Sequence, residues 1–392
     1  MVLVERGKID LDRPINDYLG EAKLHGSPGT NYEPTVREIA GHVGGLGIHF
    51  HFFPETGNLV RPTMDETIRR FGFLIAPPGE RYEYSNLGYG VLEYVIERVS
   101  GRPYAEFLQS EVLNPLGLNQ TSVPLKHNDG LAVRYWTDGT EIPFYDFDHR
   151  GGSAVYSSAH DLVRFGMYHL GLLNLAGPAP VSPKGLAEMH RSIARWGSDG
   201  YGLGWTLTNL TEGTRLINHD GGMPGVHAQL LLLPEKKAVL VSLANSLKPE
   251  ASERVKDELG SAMALDYSAA KKSDPEAIFT GEWIGEIATA AGSVPLRLQI
   301  KNRTNCYVKI NNDATHRVRD MKIENGYWTG MVVERLSIPE LSPLYCEVKF
   351  FLKRLGSHLR GGVTVWGRAG SKEMPAASSF SIDLRLVSDF AD

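Results

Sequence analysis

Apolar residues recur at helical spacing at Leu87, Val91, Val95 and Val99 and stop at Gly101, so the stretch following Tyr84-Ser85-Asn86 reads as a helix closed by a glycine. The turn-rich run Pro77-Pro78-Gly79 precedes it, which puts the Tyr84 tripeptide on a loop braced by that helix. Thr35 with Glu38 and Ser158 with Asp161 have the spacing of helix capping boxes. Further on, Thr214 to Asn218 is rich in strand formers and predicts a strand ending at His219. The runs Ala228 to Leu233 and Ala238 to Leu243, joined by Pro234-Glu235-Lys236-Lys237, complete an antiparallel meander with it, followed by a helix from about Glu250 to Leu265. Beyond the charged stretch Lys271 to Glu276 the pattern becomes strict alternation: Leu296, Leu298, Ile300; Cys306, Val308, Ile310; Ile382, Leu384, Leu386. Turns such as Glu324-Asn325-Gly326 and Gly361-Gly362 punctuate it, and short alternating strands predict a second, all-β unit, a small barrel or sandwich. The expected organisation is an α/β (α+β) unit with an antiparallel sheet and a helical region over 1–268, a linker over 269–276, and an all-β unit over 277–392.

Composition narrows the function classes. A formal net charge of −5 offers no basic field, and no basic patch interleaved with aromatics appears, so nucleic acid is not an expected partner. The longest apolar runs, such as Leu230 to Leu233, fall far short of the roughly 20 residues a membrane helix needs, and Met1 to Val4 meets a charge too early for a signal sequence. The compartment stays open. Cys306 and Cys346 are the two cysteines, and pairing and free thiols are equally compatible with their positions. His49-Phe50-His51 with His42 brings imidazoles together without a third and fourth ligand of the usual kind, so neither a metal nor another cofactor is expected.

Chemistry concentrates in Tyr84-Ser85-Asn86 and His219-Asp220-Gly221-Gly222. With Thr35 to His42 before Gly44-Gly45-Leu46, Asn114 to Leu118, Gly151-Gly152 through Leu162, and Tyr201-Gly202-Leu203-Gly204-Trp205, the chain resembles the serine hydrolases of the β-lactamase, D-alanyl-D-alanine peptidase and esterase superfamily, especially the branch related to class C β-lactamases. The resemblance spans about the first 265 residues in order. It implies a β-lactamase/transpeptidase-like fold and a substrate that is a small molecule or peptide with an ester, amide or lactam bond. Tyr84 would be the general base and later the acid, Asn86 would orient a lysine and bind the substrate's carbonyl or amide, and the Gly222 N–H would donate to the oxyanion. Ser85, Asp220 and Gly221 would line the substrate site. His219 stands where the family's third motif has lysine, replacing a fixed cation by a group mostly neutral near pH 7, a change that resembles the esterases and D-amino-acid amidases or peptidases.

The first motif of that family, S-x-x-K, has a single match, Ser268-Ala269-Ala270-Lys271, which falls after the histidine motif and is read as chance. Met1 to Asp12 resembles the tail of the family's nucleophile helix, so S-x-x-K is expected upstream of Met1, and the chain as given is expected to be inactive because both Ser and Lys are absent. Two alternatives stand beside this reading: a non-catalytic binding module, and a hydrolase recruiting Ser85 or Ser268. In the plain structural readings Tyr84 is a core-edge tyrosine, Asn86 a helix N-cap and His219 a satisfied strand-end histidine. Residues 277–392, with Gly281-Glu282-Trp283-Ile284-Gly285, resemble the lipocalin-like β domain appended to such hydrolases. An unpaired face on the Ala238 to Leu243 strand is expected to promote self-association.

Overall fold

In the computed structural model of the chain, the described residues are 1–26, 31–56, 60–196, 199–210, 214–246, 279–289, 291–302, 305–324, 327–335, 345–368 and 376–390. The expected helix near Glu250 to Leu265, Ser268 and the 269–276 linker lie outside them.

The helical region comprises α1 (Val2–Glu5), α2 (Val36–Ala40), α3 (Met64–Phe71), α4 (Asn86–Ser100), α5 (Tyr104–Leu108), α6 (Asn114–Leu116), α7 (Ala159–His169) and α8 (Pro183–Met189). Thr35 and Glu38 form the complete reciprocal cap of α2, and the Ser158 side chain accepts the Asp161 N–H at α7. Ser85, not Asn86, caps α4, which ends at Gly101 in the left-handed conformation (φ 70°) that a glycine adopts without strain. Leu87, Val91 and Val95 are fully buried, packing α4 into the main core with Val2, Leu3, Ile15, Ile39 and Ile68. Among the described residues no helix is long and apolar enough to cross a membrane.

Two small strand pairs, Phe52–Pro54 (β1) with Tyr145–Phe147 (β4) and Arg134–Tyr135 (β2) with Glu141–Ile142 (β3), brace the loops. A six-stranded sheet, in spatial order β10-β9-β8-β7-β6-β5, is built from Ala194–Trp196 (β5), Asp199–Tyr201 (β6), Thr206–Asn209 (β7), Arg215–Met223 (β8), Val226–Leu233 (β9) and Ala238–Ala244 (β10). Every pairing in it is antiparallel, and Trp205, Leu207, Ile217, Leu230 and Leu232 bury one face, with Phe165 of α7 packed against them. Among the described residues β10 is an edge strand of this sheet, and its Leu243 is exposed. The histidine motif differs from the sequence expectation. His219 sits inside β8, which continues to Met223 and turns at Pro224-Gly225 into β9, because Gly221 and Gly222 pair with Ala228 and His227 and extend the ladder.

The remaining strands form a nearly closed, barrel-like nine-stranded antiparallel sheet: Gly281–Thr289 (β11), Gly292–Asn302 (β12), Asn305–Ile310 (β13), Thr315–Arg317 (β14), Arg319–Glu324 (β15), Tyr327–Arg335 (β16), Tyr345–Leu355 (β17), His358–Arg368 (β18) and Ala376–Ser388 (β19). Its spatial order β14-β13-β12-β11-β19-β18-β17-β16-β15 starts and ends on strands separated in sequence by Val318 alone, so the sheet curls until its edges nearly meet. The predicted alternation fills its interior, where Leu296, Leu298, Ile300, Cys306, Val308, Ile310, Ile382 and Leu384 are buried around Trp283, Trp328 and Phe350. Cys306 and Cys346 are both buried and are not joined in a disulfide.

The barrel docks on the helical region through backbone as well as side chains. Phe50 and Ala377 exchange N–H···O bonds of 3.1 and 3.3 Å, and Gly47 lies so close to Ser379 that a Cβ there would fall 2.2 Å from the serine Cβ. Beneath this contact, His49 bridges Asp148 (2.6 Å) and Ser378 (3.0 Å).

Candidate active site

The Tyr84 loop is shaped by its glycine turn and by His42. Gly79 adopts φ 78° and donates its N–H to the Val43 carbonyl at 2.7 Å. His42, itself left-handed at φ 56°, accepts the Glu83 N–H on its carbonyl (2.7 Å) and the Ser85 N–H on ring Nδ1 (3.2 Å). The residues on both sides of Tyr84 are therefore fastened to one histidine. Its ring packs against Tyr84 (centroids 4.4 Å apart), Tyr201 (4.7 Å) and Tyr89 (5.2 Å), while the Tyr89 hydroxyl donates to the Ala40 carbonyl at 2.8 Å. Burial, reinforced by the neighbouring His219, drives His42 down to about 3, so the ring is neutral and its Nδ1 is free to accept.

The expected site residues separate into two sets. Tyr84 and His219 face each other with ring centroids 6.2 Å apart, bringing the two motifs together from positions far apart in the sequence. His219 Nδ1 lies 2.8 Å from the Asp220 carbonyl and Nε2 lies 3.1 Å from the Tyr201 hydroxyl. A carbonyl only accepts, so Nδ1 carries the proton and Nε2 receives the Tyr201 O–H. Burial lowers the His219 pKa further, and the histidine motif presents a neutral imidazole. Asp220, Gly221 and Gly222 are exposed along the same strand. Asn86 is the first residue of α4, half-buried, with its carbonyl against Gly152, where a Cβ would fall 3.0 Å from the oxygen. Ser85 stands apart from these: it is 2% exposed, and its hydroxyl accepts from the Gly88 N–H (3.0 Å) and donates to the Gly47 carbonyl (2.8 Å). That hydroxyl is committed to the fold, which corrects its expected place on the substrate.

Burial, and then the nearby Asp220 carboxylate, pushes the Tyr84 phenol up to about 12. In this chain it is a protonated hydroxyl at neutral pH, able to donate a proton but not to take one. Sequence reasoning assigned no role to His42 or Tyr201, although both lie in stretches that carried the resemblance; their signal was position beside glycines, without a motif to name their task. Among the described residues no group of His, Cys, Asp and Glu has the arrangement of a metal site.

An α/β region with an antiparallel sheet, beside a nearly closed nine-stranded sheet, makes a β-lactamase-like fold. Residues 1–262 match the Beta-lactamase family model, and the chain belongs to that family of β-lactamase-related serine hydrolases. Penicillin-binding protein 4* of Bacillus subtilis (strain 168) is 24% identical over 275 residues, covering 62% of this chain and 57% of that protein. The chain spans about half the length of the curated relatives it matches. Among solved structures, SurE is 21% identical with a TM-score of 0.62, covering 96% of this chain and 84% of that one. The octameric penicillin-binding protein homologue from Pyrococcus abyssi is 20% identical with a TM-score of 0.55, at 96% and 84% coverage. At these identities the structural likeness speaks for the fold.

Proposed function

We propose that Tyr84, Asn86, His219 and Gly222 are the tyrosine and histidine side of a serine acyl-hydrolase site for ester, amide or D-amino-acid peptide bonds. In this reading the nucleophile and its lysine come from an S-x-x-K segment other than Ser268 to Lys271, and the chain as given forms no acyl-enzyme. The observation that carries the reading is the pairing of Tyr84 with His219 across 6.2 Å, with both neighbours of Tyr84 clamped by His42. The name of one relative, a penicillin-binding protein, supports a lactam substrate.

The chemistry follows from proton bookkeeping. A serine hydroxyl attacking a carbonyl releases a proton that Tyr84 Oη would accept only as phenolate, then return to the leaving group. An ammonium beside the phenol favours that anion, whereas burial and Asp220 favour the phenol. The second reading is a pocket in which Tyr84 stays a phenol and which binds such substrates without acyl transfer. Domain limits of 1–268 and 277–392, a lipocalin-like ancestry for the barrel, and self-association through the β10 edge belong to the same proposal.

Incubation of the 392-residue chain with a fluorescent penicillin or a fluorophosphonate, followed by intact mass, is expected to give no covalent adduct. Stoichiometric labelling at Ser85 or Ser268 would refute the assignment. A version carrying an upstream S-x-x-K separates the two readings: labelling at the added serine supports the hydrolase, and its failure supports the binding module.

A further inference from the structure

The loop that carries Tyr84 is held at two ends. Downstream, the Glu83 and Ser85 N–H groups are bound by His42. Upstream, in the seam between the helical region and the barrel, Ile75 is buried so close to Gly362 of β18 that a Cβ there would fall 2.8 Å from Ile75 Cδ1. Further along, Glu80 Oε1 accepts from two barrel donors, the Tyr327 hydroxyl at 2.8 Å and Lys353 Nζ at 2.9 Å. The same Tyr327 ring has its centre 5.0 Å from the guanidinium carbon of Arg81 and 5.5 Å from Lys353 Nζ, within reach of cation–π attraction.

The barrel's register makes this cluster. Tyr327 opens β16 and is the cross-strand partner of Lys353 on β17, so phenol and ammonium stand side by side on one face. Burial would raise the Glu80 carboxyl, but its bonds to Lys353 and Tyr327 hold it below the ordinary carboxylate range, so it accepts both as an anion. A lone exposed ion pair contributes little. Here one oxygen takes two charge-assisted hydrogen bonds, and the ring that donates one of them also covers the neighbouring Arg81. From Gly79 to Ser85 the chain has no helix or strand of its own, so its path is set by these contacts, by the Gly79 N–H on the Val43 carbonyl and by His42.

We propose that Tyr327 is a positioning residue for Tyr84: through Glu80 and Arg81 the barrel latches the upstream end of the loop and so fixes where the Tyr84 phenol stands opposite His219. The barrel is thereby part of the scaffold of the site. Its effect on catalysis rests on the hydrolase reading; the latch itself does not.

Amide hydrogen exchange on the full 392-residue chain tests the latch. Tyr327→Phe, which keeps the ring and removes the hydroxyl, should speed exchange of the Glu83 and Ser85 amides about three- to tenfold, with the amides of α4 unchanged. Glu80→Ala, made from the other side of the seam, should do the same, and the double variant should fall short of the product of the two factors. Unchanged exchange at these amides in either variant, or an acceleration spread evenly over the chain, overturns the proposal. In a protein carrying S-x-x-K, Tyr327→Phe should lower kcat for p-nitrophenyl acetate about three- to tenfold with KM nearly unchanged, and should add nothing in a Tyr84→Phe background, because it acts through that phenol. No fall in the parent, or an equal fall in the Tyr84→Phe background, refutes the positioning role. If that protein forms no acyl-enzyme, the hydrolase reading fails and the exchange pattern alone decides the latch.

Discussion

Replacing His49 by leucine should show how the barrel is held to the helical region. Asp148 and His49 have side chains 1% and 2% exposed, with Oδ2 2.6 Å from Nε2, and Ser378, fully buried, closes the chain at 3.0 Å from Nδ1. Burial lowers the His49 pKa despite the pull of Asp148. Burial would raise Asp148, but His149, His49 and the His51 N–H together hold it far below the ordinary carboxylate range. A neutral imidazole thus donates Nε2–H to a carboxylate and accepts the Ser378 O–H on Nδ1. Leucine leaves the carboxylate buried with the His51 N–H at 3.0 Å as its remaining hydrogen bond. Breaking a buried pair on one side costs about 3–5 kcal/mol, against about 1.5–3 kcal/mol that a buried leucine contributes, so a net loss of about 2 kcal/mol is expected. Asp148→Leu orphans the His49 and His51 donors in turn, and the double variant should cost less than the sum of the two by about 1–3 kcal/mol. Urea unfolding of the full chain measures all three. Strict additivity, or a His49→Leu variant as stable as the parent, would refute the pairing.

Three further outcomes follow from the site and its surroundings. In a protein carrying S-x-x-K, Tyr84→Phe should lower kcat by about 10²–10⁴ on p-nitrophenyl acetate while leaving the thermal midpoint nearly unchanged, as expected for a general acid–base group. His42→Phe keeps the ring packing but strands the buried Ser85 N–H, so the urea midpoint should fall by the equivalent of about 1–3 kcal/mol. Burial lowers His42 and His169 to about 3 and His51 and His190 to about 4, from 6.5. Since the unfolded chain binds these protons first, their contribution is present above pH 6.5 and is lost as the pH falls from there toward about 3, and a midpoint that stayed level across that window would contradict it.

The barrel was legible because its strands have one wet face: Leu296, Leu298 and Ile300 alternate with polar residues, and each is buried. Helix α4 was legible for the analogous reason, with Leu87, Val91 and Val95 on one side and Gly101 at its end. The plain structural alternative of Asn86 as the N-cap is off by one residue, because Ser85 and Asn86 are both good N-caps and the Gly47 carbonyl, a tertiary acceptor 38 positions upstream, takes the Ser85 hydroxyl. His219 was expected at a strand end because glycines usually interrupt strands; here Gly221 and Gly222 stay in the ladder opposite Ala228 and His227. The seam was invisible, since His49, Asp148 and Ser378 are far apart in sequence and His49 stood out only as a member of a histidine cluster.

What a motif cannot state is the charge its residues carry. The resemblance gives Tyr84 the role of a general base, yet burial and Asp220 push its phenol up to about 12, which leaves it almost wholly protonated near pH 7. A lysine ammonium about 4 Å from Oη would favour the phenolate by about 4 kcal/mol at an effective dielectric of 20. At 1.36 kcal/mol per unit that is about three units, bringing the phenol to about 9. The base form would then be a minor but usable population at neutral pH. A protein supplying S-x-x-K around this same Tyr84 should therefore show kcat/KM for p-nitrophenyl acetate rising with pH toward about 9, and the rise should vanish in Tyr84→Phe. A profile flat from pH 6 to 10, or a rise that survives Tyr84→Phe, would assign the proton transfer to another group and leave Tyr84 as a packing residue beside His42.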